Sequence, residues 1–261
     1  MLLAVDAGNS ETVVGLFELG GERRLLDTWR LSTQADRTSD EVALLVQEFL
    51  AFHGFSFDTD IAGVVVASGV PRITRAFREM TERYFGFPAV VLEAGVKTGM
   101  PILYDNPREV GADRIANAVG ALELLDPPVV VVDFSATATI LDAISAKGEY
   151  LGGVIVPGIE VGLDALVGKA ALLRDVELVE PRSVIGRSSV ESIQSGVVHG
   201  TGAMVDGVVE RIRDEIGDAE VISTGRLCEL MSPFTRSVQH VEPWLTLQGL
   251  RTIFEKNQPP S

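Results

Sequence analysis

The sequence predicts an α/β protein made of two similar halves, and three observations support this fold class. Apolar runs of strand length alternate with segments that have the spacing of amphipathic helices. An apolar run at 2–5 ends at Asp6 and is followed by turn residues and a β-rich stretch. The same pattern recurs at 129–132 and Asp133, an offset of 127 residues in a chain of 261. A single recurrence at about half the length indicates a duplicated domain rather than a repeat array.

The elements of the first half follow from its hydrophobic pattern. The runs 63–67 and 89–92 are apolar throughout, which is typical of strands buried on both faces. Ser39 and the two acids after it open a segment with helical spacing. The predicted order is strands at 2–5, 12–17 and 25–31, a helix at 42–52, a strand at 63–67, a helix at 71–85, a strand at 89–92 and a helix at 110–125 beginning near Gly111.

The second half opens with the same elements and ends in helices. Pro127 and Pro128 interrupt the chain just before its first strand. The predicted order is strands at 129–132, 138–144 and 150–156, a helix at 190–216, a strand at 219–223 and a helix at 245–256. We therefore expect an N-terminal domain at 1–119 and a C-terminal domain at 120–261.

Composition and charge argue against several classes of function. The chain carries 37 acidic and 22 basic residues, a formal net charge of −15, which disfavours nucleic acid as a partner. An anionic substrate would therefore be held by metal ions, backbone N–H groups or a few placed cations. The single cysteine, Cys228, excludes an intrachain disulfide and fits a reducing compartment. We expect a cytoplasmic protein, because the first residues lack a signal peptide's basic stretch and no apolar run approaches about 20 residues.

Asp6 begins a turn that can hold a phosphate and a metal ion. Its carboxylate is followed by an amide and, at Ser10, a hydroxyl, and Gly8 leaves backbone N–H groups uncovered. The simpler alternative is an ordinary hairpin turn, because these residue types are common in turns. The second copy favours nucleotide binding, since Thr137 follows Asp133 at the same four-residue spacing. Two such turns in duplicated domains can clamp a nucleotide.

Other motifs of nucleotide-binding and hydrolytic enzymes are absent from the sequence. There is no Gly-x-x-x-x-Gly-Lys-Ser/Thr loop, and no Gly-x-Gly-x-x-Gly lies between a strand and a helix. The histidines, His53, His199 and His240, lack metal-ligand spacing, and no Gly-x-Ser-x-Gly elbow occurs. Walker-type, Rossmann-type and hydrolase functions are therefore unsupported.

The segment from Gly111 to Arg114 is the second candidate site. It lies where we predict a helix N-terminus, at which the helix dipole favours an anion or a carboxylate. Asp113 can be read as an ordinary first-turn acid. Alternatively, Arg114 binds a substrate carboxylate bidentately while Asp113 accepts a proton from a hydroxyl, an arrangement that suits a hydroxy-acid substrate.

These residues occur in motifs that resemble those of the type III pantothenate kinases, which include the Bvg accessory factors. Asp6-Ala7-Gly8-Asn9-Ser10 is similar to the family's phosphate motif, and Gly111-Ala112-Asp113-Arg114 is a highly specific match. The other motifs follow in the family's order over essentially the whole chain: Tyr104-Asp105-Asn106-Pro107, Asp133 with its Thr-Ala-Thr, Gly152-Gly153 with Pro157-Gly158, and Leu245-Thr246-Leu247-Gln248-Gly249-Leu250.

The resemblance implies a fold, a reaction and partners. The expected fold is a pair of ribonuclease-H-like domains of the superfamily that contains acetate and sugar kinases, actin and heat-shock ATPases. The expected reaction is ATP-dependent phosphorylation of pantothenate to 4'-phosphopantothenate, the first step of coenzyme A biosynthesis. Mg²⁺ and a monovalent cation, K⁺ or NH₄⁺, are the expected cofactors beside ATP. A homodimer is also implied, whereas neither nucleic acid nor a membrane is expected as a partner.

The resemblance further implies roles for individual residues. Asp113 is expected as the proton acceptor, Asp133 as the ligand of the monovalent cation, and Asp6 as the residue that holds Mg²⁺ through water or phosphate. The expected ATP-binding residues are Asp6, Ala7, Gly8, Asn9, Ser10, Glu11, Thr12, Val13 and Thr137. The expected substrate-binding residues are Tyr104, Gly111, Ala112, Asp113, Arg114 and Ser189.

Two positions in the expected nucleotide site depart from the family pattern. Ser135 stands where the family has a glycine, in a turn that reads one residue longer, and Arg226 stands where many relatives carry a second glycine. If the glycine provides a left-handed φ or a close approach to phosphate, Ser135 would cost about 1 kcal/mol or block the nucleotide. Two alternatives therefore stay open: a catalytically impaired paralogue that binds a ligand or partner, and a kinase for a different small hydroxy acid.

Overall fold

The structure, a computed structural model, describes residues 1–20, 24–169 and 176–258, and of Lys169 only the backbone. Contacts between Cα atoms divide the chain into two compact units. The first comprises Met1–Gly99, Asp105–Gly120 and Thr246–Ser261, and the second comprises Met100–Tyr104 and Ala121–Leu245. The domains expected at 1–119 and 120–261 stay a prediction, and they differ from these units mainly in the C-terminal segment.

Five strands form the sheet of the first unit: β1 Leu2–Ala7, β2 Glu11–Phe17, β3 Leu25–Ser32, β4 Gly63–Ser68 and β5 Val90–Val91. Their order in the sheet is β3-β2-β1-β4-β5. The pairs β1–β2 and β2–β3 are antiparallel, whereas β1–β4 and β4–β5 are parallel. A meander of hairpins therefore continues into two parallel strands, which need crossover connections.

The sheet of the second unit repeats this arrangement. Its strands are β6 Val129–Phe134, β7 Ala138–Ile144, β8 Tyr150–Pro157, β9 Glu220–Thr224 and β10 His240–Val241. Their order is β10-β9-β6-β7-β8, which is the order of the first sheet when it is read from the other edge. The antiparallel and parallel pairs also correspond. The predicted duplication is confirmed by this shared topology.

Helices connect the strands. They are α1 Ser39–Phe52, α2 Pro71–Met80, α3 Ala112–Leu124, α4 Ile159–Lys169, α5 Ser189–Ile216, α6 Cys228–Met231 and α7 Leu245–Lys256. α1 begins at a capping box in which the side chains of Thr38 and Glu41 each bond to the other residue's backbone N–H. None of the helices in the described parts of the chain is long and apolar enough to cross a membrane.

Strand alternation decides which side chains form the core of each unit. Val5 and its alternate neighbours in β1 pack with α1 and α2, and Val132 and its alternate neighbours in β6 pack with α5. Burial of each such side chain stabilises the fold by about 1.5–3 kcal/mol, so the register of both strands is strongly fixed. Asp6 and Asp133 occupy the positions that alternate with these core residues, so they lie on the other face of their sheets.

The structure corrects several predicted elements. Asp6 and Asp133 lie inside β1 and β6 rather than at their ends, because each strand continues to pair for one more residue. The helix predicted at 71–85 is α-helical only to Met80 and ends in a π-helical turn, Thr81–Phe85. α4, α6 and β10 were not predicted, and α3 starts one residue after Gly111.

Candidate active site

The turn between β1 and β2 carries the first set of predicted ATP-binding residues. Gly8, Asn9 and Ser10 form its exposed tip, and the N–H of Gly8 donates to the carbonyl oxygen of Glu11 at 2.9 Å. Asp6 is half-buried two residues before the tip. The tip therefore offers backbone and polar side-chain groups directly after the carboxylate.

Four other residues of this predicted set lie in the strands, and one of them, Glu11, accepts a hydrogen bond from Arg30 Nη1 at 2.5 Å. Ala7 and Thr12 pair in the ladder and both are buried, with Thr12 Oγ1 2.8 Å from Thr33 Oγ1. Val13 is half-buried opposite Asp6. The side chains of Ala7 and Thr12 thus belong to the core, and only their backbone groups could meet a ligand.

The turn between β6 and β7 has the same length and register as the first. Phe134 pairs with Thr139, which corresponds to the last pair of the first hairpin at the offset of 127 residues. Thr137 is exposed at the position of Ser10, and Thr139 is fully buried. Thr137 is therefore more exposed than Ala136, and its contact with a nucleotide stays a prediction.

Ser135 occupies the position of Gly8 in the second turn. Gly8 does not have a left-handed φ, so this position does not demand a glycine on conformational grounds. The hydroxyl of Ser135 donates to the carbonyl oxygen of Ala138 at 2.8 Å, and the corresponding bond in the first turn comes from the N–H of Gly8. The serine therefore closes its turn with a side-chain hydrogen bond.

Two glycines from neighbouring elements pack directly against the second turn. A Cβ at Gly225, which has φ +88°, would lie 2.3 Å from Asp133 Oδ1. A Cβ at Gly158 would lie 2.3 Å from the carbonyl oxygen of Ala136. Arg226 directly follows Gly225, and Glu160 lies two residues after Gly158. The guanidinium of Arg226 forms an ion pair with the carboxylate of Glu160. The side chain of Arg226 is thus held by this ion pair next to the second turn.

The start of α3 gathers the predicted base and the predicted substrate anchor. The Asp113 carboxylate accepts the backbone N–H of Arg114 at 2.9 Å, and it lies over Gly111, where an added Cβ would be 2.4 Å from Asp113 Oδ1. Gly111 is therefore required for a close approach of the carboxylate. Arg114 is only 6% exposed, whereas Gly111, Ala112 and Asp113 are half-buried.

Two residues that sequence analysis did not assign to the site connect α3 to α7. Thr246 Oγ1 donates to Asn117 Oδ1 at 2.6 Å, and Asn117 is 1% exposed one turn after Asp113. A Cβ at Gly249 would lie 1.8 Å from the carbonyl oxygen of Ala116, so the two helices touch through their backbones. The only sequence signal for this contact was the Leu245-to-Leu250 motif.

The remaining predicted substrate residues belong to the second unit. Tyr104 is half-buried and lies beside β8, with its ring centroid 6.5 Å from that of Tyr150. Ser189 is the exposed first residue of α5, directly after the helix cap Ser188. The segment before α5 and its first turns line a pocket of about 490 Å³.

Cys228, the first residue of α6, is 1% exposed. Burial, with the charge of Glu229 second, raises the pKa of its thiol to about 11. The cysteine is therefore a small buried residue of the second core.

Comparison with known proteins gives the family to which the sequence is similar. The family model of the type III pantothenate kinases matches residues 2–211. The type III pantothenate kinase of Streptomyces griseus is 50% identical over 265 residues and covers 98% of each chain.

Solved structures show the fold. The activator of the 2-hydroxyisocaproyl-CoA dehydratase from Clostridium difficile, with bound ADPNP, is 11% identical with a TM-score of 0.58, over 98% of this chain and 95% of that chain. The inorganic polyphosphate/ATP-glucomannokinase from Arthrobacter sp. strain KM is 13% identical with a TM-score of 0.51, over 98% of this chain and 97% of that chain. These likenesses confirm the predicted actin-like and sugar-kinase fold. With a family match over most of its length, the chain belongs to the type III pantothenate kinase family.

Proposed function

We propose that Asp113 is the proton acceptor and Arg114 the carboxylate anchor when this chain, as a type III pantothenate kinase, phosphorylates pantothenate with ATP in coenzyme A biosynthesis. The observation that carries the proposal is the Asp113 carboxylate lying over Gly111 beside Arg114. A base and a cation side by side suit a substrate that has a hydroxyl to phosphorylate and a carboxylate to anchor.

The transfer itself needs positioning more than covalent help from the protein. The terminal hydroxyl oxygen of pantothenate bonds to the γ-phosphorus of ATP, the bond from that phosphorus to the β–γ bridging oxygen breaks, and ADP leaves. The hydroxyl proton goes to Asp113. Because the transition state is loose, a carboxylate suffices as the base when both substrates are held in line.

The burial of Arg114 makes it suited to anchor a carboxylate. At 6% exposure its guanidinium lies away from bulk water, where a charge-assisted bidentate bond is stronger than at the surface. The N-terminus of α3 adds favourable dipole for the substrate's negative charge. Tyr104, Gly111, Ala112 and Ser189 complete the proposed substrate-binding set.

The two turns are proposed to hold ATP. Gly8, Asn9, Ser10 and Thr137 have exposed groups for the phosphates, and Ala7 and Thr12 offer only backbone. In the described ranges no three His, Cys, Asp or Glu side chains lie close enough to hold a metal by themselves. Asp6 suits Mg²⁺ because this ion is commonly bound by one or two carboxylates together with substrate phosphates. Bound Mg²⁺ neutralises charge that develops on the phosphates.

Asp133 is proposed to hold the monovalent cation. Its neighbour across the parallel pair is Thr224, whose Oγ1 is buried and has no hydrogen-bond partner among the described residues. A hydroxyl oxygen in that condition is a fitting ligand for K⁺ or NH₄⁺ beside a carboxylate. The homodimer and the cytoplasmic location expected from the sequence remain predictions.

The test of this proposal is pantothenate-dependent ADP release, with the phosphorylated product identified by mass. We expect turnover with Mg²⁺ and millimolar ATP that is stimulated by K⁺ over Na⁺. Arg114→Lys should raise KM for pantothenate by about tenfold or more, because a bidentate bond becomes a single one. The exposed Arg108→Lys serves as the matched control and should leave KM unchanged.

Three results would contradict parts of the proposal. Faster turnover with another hydroxy acid would change the acceptor. A thermal shift with ligand but no ADP release would favour the catalytically impaired paralogue. An unchanged KM for pantothenate in Arg114→Lys would remove Arg114 from the substrate site.

A further inference from the structure

The segment that carries Tyr104 is attached to the edge of the second sheet. Ile102 forms a parallel bridge with Tyr150. The N–H of Leu103 donates to the carbonyl oxygen of Tyr150 at 2.8 Å, and the N–H of Tyr150 donates to the carbonyl oxygen of Pro101 at 2.9 Å. These bonds continue the sheet beyond β8 by a few residues. Tyr104 therefore leaves the sheet from a fixed backbone position.

A β-bulge in β8 receives the ring of Tyr104. Ile144 pairs with Tyr150 and Ala143 pairs with Gly152, so Leu151 is the extra residue. Gly152 has φ +120°, and a Cβ there would lie 3.0 Å from Tyr104 Cε2. Any other residue at this position would be strained and would displace the ring.

A buried tyrosine–aspartate pair lies behind this contact. The Tyr150 hydroxyl donates to Asp142 Oδ1 at 2.8 Å, and the two residues are 0% and 2% exposed. A Cβ at Gly153 would lie 2.0 Å from the backbone carbonyl oxygen of Leu141 and 2.7 Å from the same carboxylate oxygen. The Gly152-Gly153 pair thus has two tasks, because one glycine admits the ring of Tyr104 and the other admits the backbone of β7 together with the Asp142 carboxylate.

We propose that Tyr150, Asp142 and Gly152 are positioning residues that set the orientation of the Tyr104 ring and through it the affinity for pantothenate. The inference rests on the proposed role of Tyr104 in the substrate pocket. A carboxylate inside an apolar strand is costly unless it is hydrogen-bonded, so a task for it is expected. The hydrogen bond from the Tyr150 hydroxyl to Asp142 holds the ring of Tyr150 in place. The ring of Tyr104 lies beside it, with an angle of 48° between the two ring planes.

The decisive variant is Tyr150→Phe, which removes one oxygen atom and keeps the ring. The expected result is a rise of about threefold to tenfold in KM for pantothenate, the range for one lost hydrogen bond, with smaller changes in kcat and in KM for ATP. Tyr84→Phe is the matched control, because it removes another tyrosine–aspartate bond, to Asp40, at the surface of the first unit. That control should leave KM for pantothenate unchanged.

A double-mutant cycle with Tyr104→Ala separates positioning from general stability. If Tyr150 acts through Tyr104, then Tyr150→Phe has no further effect on KM in the Tyr104→Ala background. An equal rise in both backgrounds, or no rise in either, overturns the inference and leaves the kinase assignment intact. An unchanged KM for pantothenate in Tyr104→Ala alone overturns the proposed pocket role of Tyr104, and the inference with it.

Discussion

The two hairpins of the duplicated units have the same strand register and different chemistry. The first turn contains Gly8, Asn9 and Ser10, and the second contains Ser135, Ala136 and Thr137, yet their ladders have the same register. The first turn closes through a backbone N–H, and the second closes through the Ser135 hydroxyl. Topology has thus been retained through the duplication while the side chains diverged.

The place of closest packing also differs between the two turns. At Gly8 the nearest atom to an added Cβ is 3.3 Å away, whereas Gly225 and Gly158, outside the second turn, would each bring a Cβ within 2.3 Å of it. The second turn, which contains no glycine, is therefore packed closely by the neighbouring elements at Gly225 and Gly158. A serine fits at position 135 because the equivalent Gly8 has no left-handed φ, and the ladder register of the two hairpins is the same.

The largest difference that we expect between the two turns is in the kinetics of variants at Asp6 and Asp133. Asp6→Asn should lower kcat by about 100-fold or more, because a charge that organises Mg²⁺ and phosphate is lost. Asp133→Asn should remove the stimulation by K⁺, with a smaller loss in Na⁺. Steady-state kinetics in K⁺ and in Na⁺ checks both, and the exposed Asp36→Asn is the control. Identical cation responses of the two variants would contradict separate roles for the turns.

The next effect concerns stability. Gly225→Ala should lower the free energy of unfolding by about 1–3 kcal/mol, since alanine is strained at φ +88° and meets Asp133. Gly8→Ala should change it by less than about 1 kcal/mol, because its φ is not left-handed. Calorimetric unfolding midpoints measure the difference. Equal destabilisation would mean that the two turns are confined in the same way.

A smaller effect is expected from restoring the family's glycine. Ser135→Gly loses the bond to the Ala138 carbonyl oxygen, so we expect a change of less than about threefold in KM for ATP. ATP titrations of the variant and the unmodified chain test this. A large gain in ATP affinity would instead show that the serine obstructs the phosphates.

The smallest effect is at Cys228, beside the second turn. Since burial raises the pKa of its thiol to about 11, only about one molecule in a thousand carries the thiolate at pH 8. Ellman's reagent should therefore react slowly with the native protein and fast after addition of urea. Fast reaction of the native protein at pH 8 would contradict the burial of this core.

Sequence reasoning succeeded where local pattern decides the structure. The recurrence of Asp6 at Asp133 predicted the duplication, and the structure places Ser10 and Thr137 at equivalent positions of the two turns. A strand, a turn and a strand are coded by adjacent residues, so the pattern is local. It missed α4, whose interior contains Gly162 and Gly168, residues with poor helix propensity.

Contacts between distant residues could not be read from the sequence. The bond between Asn117 and Thr246 joins positions 129 apart, and nothing local indicates it. Asp142 gave a usable signal, since it is a lone carboxylate in the apolar strand Ala138–Ile144. Its partner, Tyr150, becomes apparent only when β7 and β8 pair.

The central claim is that Asp113 accepts the proton from pantothenate. The measurement is pantothenate-dependent ADP release by the unmodified chain and by Asp113→Asn, side by side, with saturating ATP, Mg²⁺ and K⁺. We predict that the variant loses about 10²–10⁴-fold in kcat, the usual contribution of a general base, and still shows a thermal shift with pantothenate and ATP. A variant with kcat within tenfold of the unmodified chain would contradict the account.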